Sequence, residues 1–127
     1  MMPRVLLDTQ VYLWRVSNDR CMPARIRQAI DDAEQIYVST ASIWKLSIKA
    51  ARGKLEPRAA RTIDELESHP FIVLPVRLIH ARAVRNLPLL HRDPFDRVLL
   101  AQARTEGLRL LTVDRELSEY LNATLPA

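Results

Sequence analysis

The sequence predicts a single α/β domain, a three-layer α/β/α arrangement around a central parallel sheet of four to five strands. Three observations carry this reading. Short apolar runs alternate with amphipathic helical patterns along the chain. Two of those runs, Val5-Leu6-Leu7 and Leu110-Leu111, are continuously apolar, as strands covered on both faces are. Both lead into an aspartate, Asp8 and Asp114, so each delivers a carboxylate to the carboxyl edge of the sheet, where open α/β sheets hold their ligands.

In chain order, Arg4–Leu7 reads as the first strand and Gln10–Val16 as a short helix. Pro23 suits the first turn of a helix over Pro23–Glu34. Gln35–Val38 is the second strand, and Ser39-Thr40 stand where the N-cap of a helix over Ala41–Arg52 belongs, with Gly53 as its stop. Arg58–Ser68 is helical, Phe71–Leu74 is the third strand, and Leu78–Asn86 is helical again. Asp93-Pro94 pairs an N-cap with proline at the first helical position and opens Pro94–Glu106, which Gly107 ends. Leu108–Thr112 is the fourth strand, followed by a helix over Asp114–Leu121 and a weak strand near Ala123–Leu125.

Composition narrows the function. At 127 residues the chain is expected to form one domain, residues 1–127, with one sizeable core. Nineteen Lys+Arg against 15 Asp+Glu give a net charge of +4, which permits nucleic-acid binding. The single cysteine, Cys21, cannot make an internal disulfide and fits a reducing cytoplasm. The opening runs straight into a strand with no signal-peptide core, and no apolar stretch is long enough to span a bilayer, so neither membrane nor export is expected. The two glycines, Gly53 and Gly107, cannot build a glycine-rich phosphate loop, which excludes P-loop and dinucleotide-binding readings.

The chemistry that remains is carboxylate chemistry. Asp8 and Asp114 leave strands at the carboxyl edge, and Asp96 lies in the first turn of its helix near that same edge. An aspartate at any one of these places is commonly a cap or turn residue, and Asp93 is read as such a cap. Three converging carboxylates repel one another and call for a cation; oxygen-only ligation suits Mg²⁺ or Mn²⁺. Thr9 is expected to orient Asp8. Lys45, Lys49 and Arg52 share a helical face, followed by Lys54, Arg58 and Arg61. With Arg92 and Arg97 flanking Asp96, and with Thr112, these supply contacts for an RNA backbone, Lys49, Arg92, Arg97 and Thr112 being nearest the acidic edge. Trp44 shares a face with Ile48 and is expected in the core, while Trp14 beside Val11 is expected to pack or to meet a partner. His69, His80 and His91 lack metal spacing. A phospho-receiver domain would need an adjacent acidic pair after the first strand and a late lysine, and neither is present.

Leu6-Leu7-Asp8-Thr9-Gln10, Ser39-Thr40-Ala41-Ser42-Ile43-Trp44-Lys45, Gly53-Lys54-Leu55, Leu87-Pro88-x-x-His91-Arg92-Asp93-Pro94-Phe95-Asp96-Arg97 and Leu111-Thr112-x-Asp114 together resemble a PIN domain of the VapC toxin branch of type II toxin–antitoxin systems. The resemblance covers nearly the whole chain. It implies a Mg²⁺- or Mn²⁺-dependent endoribonuclease that leaves a 5′-phosphate and a 3′-hydroxyl, acts as a homodimer and is inhibited by a VapB-type antitoxin. The family's acidic residues fall on Asp8, Asp96 and Asp114. Its glutamate after the tryptophan falls on Lys45, so a cation stands where a fourth carboxylate is the rule. At about 4 Å and an effective dielectric near 20, two unit charges interact by roughly 4 kcal/mol, so the sign change turns attraction for a divalent ion into repulsion of comparable size. The ammonium is therefore expected within ion-pair reach of Asp8 or Asp96, weakening metal binding and cleavage. The alternative is a PIN-like module that binds RNA or an antitoxin without cutting.

Overall fold

The computed structural model describes residues 3–88 and 93–118. Its elements, in order, are β1 (Arg4–Leu7), α1 (Thr9–Ser17), α2 (Ala24–Asp32), β2 (Gln35–Ser39), α3 (Thr40–Ala51), α4 (Pro57–Asp64), β3 (Ile72–Leu74), α5 (Leu78–Ala83), α6 (Pro94–Glu106) and β4 (Arg109–Leu111). The sheet order is β3-β2-β1-β4 and every pairing is parallel, Val5 standing opposite Ile36 on one side and Arg109 on the other. Parallel neighbours need crossover connections, and the helices supply them on both faces.

The alternation of strand side chains divides the core in two. Val5 and Leu7 of β1 point into one layer with Val11, Tyr12, Ile30 and Leu46, whereas Leu6 points into the other with Leu74, Leu99, Leu100 and Leu117. Leu111 and Leu110 of β4 divide in the same way. All three apolar residues of β1 are 0% exposed, as the continuous run requires. Each such leucine contributes roughly 1.5–3 kcal/mol relative to exposure.

The ends of the elements depart from the sequence expectation for local reasons. Pro23 is extended (φ −59°, ψ 146°) and occupies the N-cap, so α2 begins one residue later, at Ala24. Its tail stops at Asp32, because the Glu34 N–H goes to the Pro3 carbonyl at 2.8 Å beside the start of β1. The pattern over 58–68 breaks after Asp64 into a 3-10 turn at Leu66–Ser68, and that over 78–86 breaks after Ala83 into another at Val84–Asn86. Ser39 and Asp93 cap as expected, accepting from the Ala41 and Phe95 N–H groups at 3.0 and 2.9 Å. Gly107 ends α6 in the left-handed region, φ 67°. Residues 115–118 are helical, whereas the strand expected at Ala123–Leu125 lies outside the described residues.

Trp44 is not in the core. It is 65% exposed and meets the Phe95 ring edge-on, centroids 5.1 Å apart, while Ile48 is also open to solvent. The buried face of α3 carries Ala41, Ser42 and Leu46 instead. Trp14 is partly buried against the first core layer, which answers its expected packing role.

His80, fully buried, clasps α5 to α6. Its Nδ1 accepts the Arg77 N–H at 2.9 Å, so the proton is on Nε2, which donates to Glu106 Oε2 at 2.7 Å. Arg97 works nearby, donating to the carbonyls of Val84, Leu87 and Pro88 and holding the turn after α5. Among the described residues no helix is long and apolar enough to cross a membrane. Replacing His80 by leucine keeps the volume but orphans the Arg77 N–H. Urea denaturation should register a loss of about 2 kcal/mol, and an unchanged midpoint would remove this clasp from the fold's support.

Candidate active site

Chain geometry at the end of β1 sets the position of Asp8. Its N–H donates to the Leu111 carbonyl at 3.1 Å, carrying the β1–β4 ladder one step past the strand. The chain then turns into α1, with Asp8 as its N-cap: Oδ1 accepts the Val11 N–H at 2.7 Å. Its Oδ2 accepts the Thr112 hydroxyl, and the residue is only 5% exposed. Thr9 does not orient Asp8, as the sequence suggested; its hydroxyl turns to Ser42 Oγ at 3.0 Å. Thr112 takes that role. It is buried, and its hydroxyl, expected to meet RNA, donates to Asp8 and accepts the Asp114 N–H at 3.0 Å.

Asp114 follows β4, and its Oδ1 accepts the Leu117 N–H at 3.2 Å. Asp96 lies in the first turn of α6. All three aspartates line one cavity of about 250 Å³, together with Lys45 and Lys49. The shared pocket expected for Asp8, Asp96 and Asp114 is therefore present at the carboxyl edge. Burial pushes the Asp8 carboxyl above the usual carboxylate range; the Thr112 hydroxyl and Val11 N–H pull it back, and the negative charges of Asp96 and Asp114 push it further up.

Lys45 departs from expectation in its partner. Its Nζ meets Asp93 Oδ2 at 2.7 Å, not Asp8 or Asp96, with each side chain 29% exposed. Lys45 lies in α3, which packs against α6, and Asp93 at the start of α6 spends only Oδ1 on its cap, leaving Oδ2 for the ammonium. Burial pulls the Lys45 pKa down, but the Asp93 hydrogen bond and the charges of Asp96, Asp93 and Asp8 outweigh it, and the net direction is up. Burial raises Asp93, and the Lys45 bond and charge with the Phe95 and Asp96 N–H groups more than reverse it. Both groups are thus ionised at neutral pH. Sequence reasoning saw Asp93 only as a cap, because nothing local signals a partner 48 positions away.

Of the expected RNA contacts, Lys49 is exposed on the cavity wall. Arg97 is committed to the carbonyls after α5, and Arg92, like His91, lies outside the described residues. The cavity's oxygen donors suit a hard divalent ion, and a cation there would relieve the repulsion that Asp96 and Asp114 impose on buried Asp8. The coordination shell is not ready-made: among the described residues no three acidic, histidine or cysteine side chains already stand close enough to hold an ion. The donors fit in kind.

A parallel sheet with three aspartates lining one cavity at its carboxyl edge is the arrangement of a PIN domain. The PIN-domain family model matches residues 5–121, and the chain belongs to that family. Within it the chain is VapC-like: it is 28% identical over 121 residues to Ribonuclease VapC22 of Mycobacterium tuberculosis (strain ATCC 25618 / H37Rv), covering 94% of this chain and 93% of that protein. Its fold is similar to a crystal structure of VapBC2 from Rickettsia felis bound to a promoter DNA fragment (TM-score 0.69, 13% identity, 91% and 92% of the two chains). It is also similar to DNA-bound VapBC from Salmonella typhimurium (TM-score 0.67, 18% identity, 94% and 92%).

Because the folded-state pKa of Asp8 lies above its ordinary value, protonated Asp8 favours the fold at low pH. That contribution is lost as pH rises through the folded pKa, and at neutral pH the buried charge is a burden. Asp8→Asn is expected to unfold at a higher urea concentration than the parent at pH 7, with the gap closing as pH falls into the ordinary carboxylate range. A lower midpoint at pH 7 would show that the Val11 and Thr112 bonds outweigh burial.

Proposed function

We propose that the protein is the toxin of a type II toxin–antitoxin pair, an endoribonuclease that hydrolyses RNA phosphodiesters with Mg²⁺ or Mn²⁺. The observation that carries this reading is the cavity shared by Asp8, Asp96 and Asp114, three carboxylates brought in by three separate elements. The 28% identity to a protein named as a ribonuclease supports the reaction class. Likeness to VapBC complexes supports a VapB-type antitoxin as partner.

Asp8, Asp96 and Asp114 would hold the ion, which when bound lowers the pKa of its water and neutralises charge on the phosphate. The protein's own residues do the rest. Thr112 and the Val11 N–H fix the Asp8 carboxylate, so one ligand is oriented before any ion arrives. Lys49 draws the RNA backbone to the cavity mouth. Lys45 lowers the cavity's negative charge and so its affinity for a divalent ion, attenuating the enzyme without disabling it. We read the assembly as a homodimer acting in the cytoplasm. Its apolar contact is read at Trp44 and Val76, exposed residues that line one apolar cavity with Phe95 and Val98.

The test is cleavage of labelled single-stranded RNA against Mg²⁺ and Mn²⁺ concentration. Cleavage is expected to vanish in EDTA, to fall at least about a hundredfold in Asp96→Asn, and to reach half-maximum at lower metal concentration in Lys45→Glu. Loss of all activity in the parent at every metal concentration, with RNA still bound, would favour the non-cleaving module instead.

A further inference from the structure

Lys45 is more than a missing carboxylate. The cavity presents three carboxylates, Asp8, Asp96 and Asp114, and two ammonium groups, Lys45 and Lys49. Asp93, paired with Lys45 at 2.7 Å, adds a fourth carboxylate. With all six ionised, these described groups carry two net negative charges, which one divalent ion balances. A carboxylate at position 45 would leave four net negative charges, and the same balance would need two divalent ions. The ammonium has three N–H donors. Asp93 takes one at 2.7 Å, no other hydrogen-bond acceptor is seen for it among the described residues, and the side chain remains 29% open. It is a cation anchored at one point with donors to spare, on the wall of an anion-lined cavity.

We propose that Lys45 is a phosphate-binding residue, its ammonium taking a non-bridging oxygen of the RNA phosphodiester so that the site works with a single divalent ion. This rests on the nuclease reading for its substrate and goes beyond it in assigning the residue a positive task. Asp93 serves as the tether: the pair keeps Lys45 at the cavity wall and off the Asp8, Asp96 and Asp114 oxygens that face an ion. Lys49, four residues along α3 and exposed on the same wall, supplies the second cation along the backbone path.

Two measurements that do not depend on catalysis test this. Free-Mn²⁺ electron paramagnetic resonance should count one bound ion per chain in the parent and two in Lys45→Glu. Fluorescence anisotropy of a labelled, mixed-sequence single-stranded RNA in EDTA should show weaker binding in Lys45→Met. The slope of log affinity against log salt should be smaller there by roughly 0.7, as expected when one phosphate of a single strand is no longer neutralised. Lys45→Arg should keep the parental slope, and thermal melts of all variants identify any that fail to fold. Two Mn²⁺ ions in the parent, or an unchanged salt slope in folded Lys45→Met, overturns the proposal. A parent that never cuts RNA but binds one ion, and whose salt slope falls on Lys45→Met, supports it while removing the nuclease reading.

Discussion

The buried carboxylate of Asp8 is the point on which this molecule depends. A charge taken out of water carries a penalty of several kcal/mol unless donors meet it, and here two donors do, one from each side of the chain's path. The Val11 N–H is available because α1 starts at Asp8, and the Thr112 hydroxyl is available because β4 runs alongside β1. Helix start, strand pairing and the orientation of a cavity-lining carboxylate are thus one arrangement. A slip of β4 by one residue would turn Thr112 to the opposite face of the sheet and leave the carboxylate half satisfied.

Around this point the charges are arranged by contacts between helices. Asp93 caps α6 with one oxygen and receives Lys45 with the other, so the same side chain that starts the helix bearing Asp96 also fixes a cation on α3. The far end of α6 is held by the His80–Glu106 contact. Anchoring both ends limits the freedom of Asp96, which follows the cap by less than one turn. The cavity therefore combines one carboxylate held rigidly from below with another carried on a fastened helix, and its net charge is set by what stands at position 45.

Much of this was legible in the residues, and what was not follows a pattern. The order of strands and helices, the caps at Ser39 and Asp93, the stop at Gly107 and the shared edge of Asp8, Asp96 and Asp114 all rest on signals a few residues long, and the family motif reinforced them. The Lys45–Asp93 pair, the Thr112–Asp8 bond and the turn of Thr9 toward Ser42 join positions far apart, and no local pattern encodes them. Trp44 was misplaced because helical periodicity tells which residues share a face but not which face is buried; Ala41, Ser42 and Leu46 take the inner face of α3, and the large ring was left outside. The two 3-10 breaks fall where the chain must turn sharply between packed elements, and the apolar spacing continues through them.

The bond between Thr112 and Asp8 spans 104 positions, and this has a meaning in time. During synthesis the first strand leaves the ribosome early, yet its Oδ2 has no donor until the fourth strand has emerged and docked at the sheet edge. Contacts of such long sequence separation form late, after the entropy of closing the intervening loop has been overcome. A nascent or truncated chain would carry the first aspartate without its clamp and without Asp114, so the cavity is among the last features to be completed. Under the toxin function proposed above, that order delays competence until the whole domain is folded.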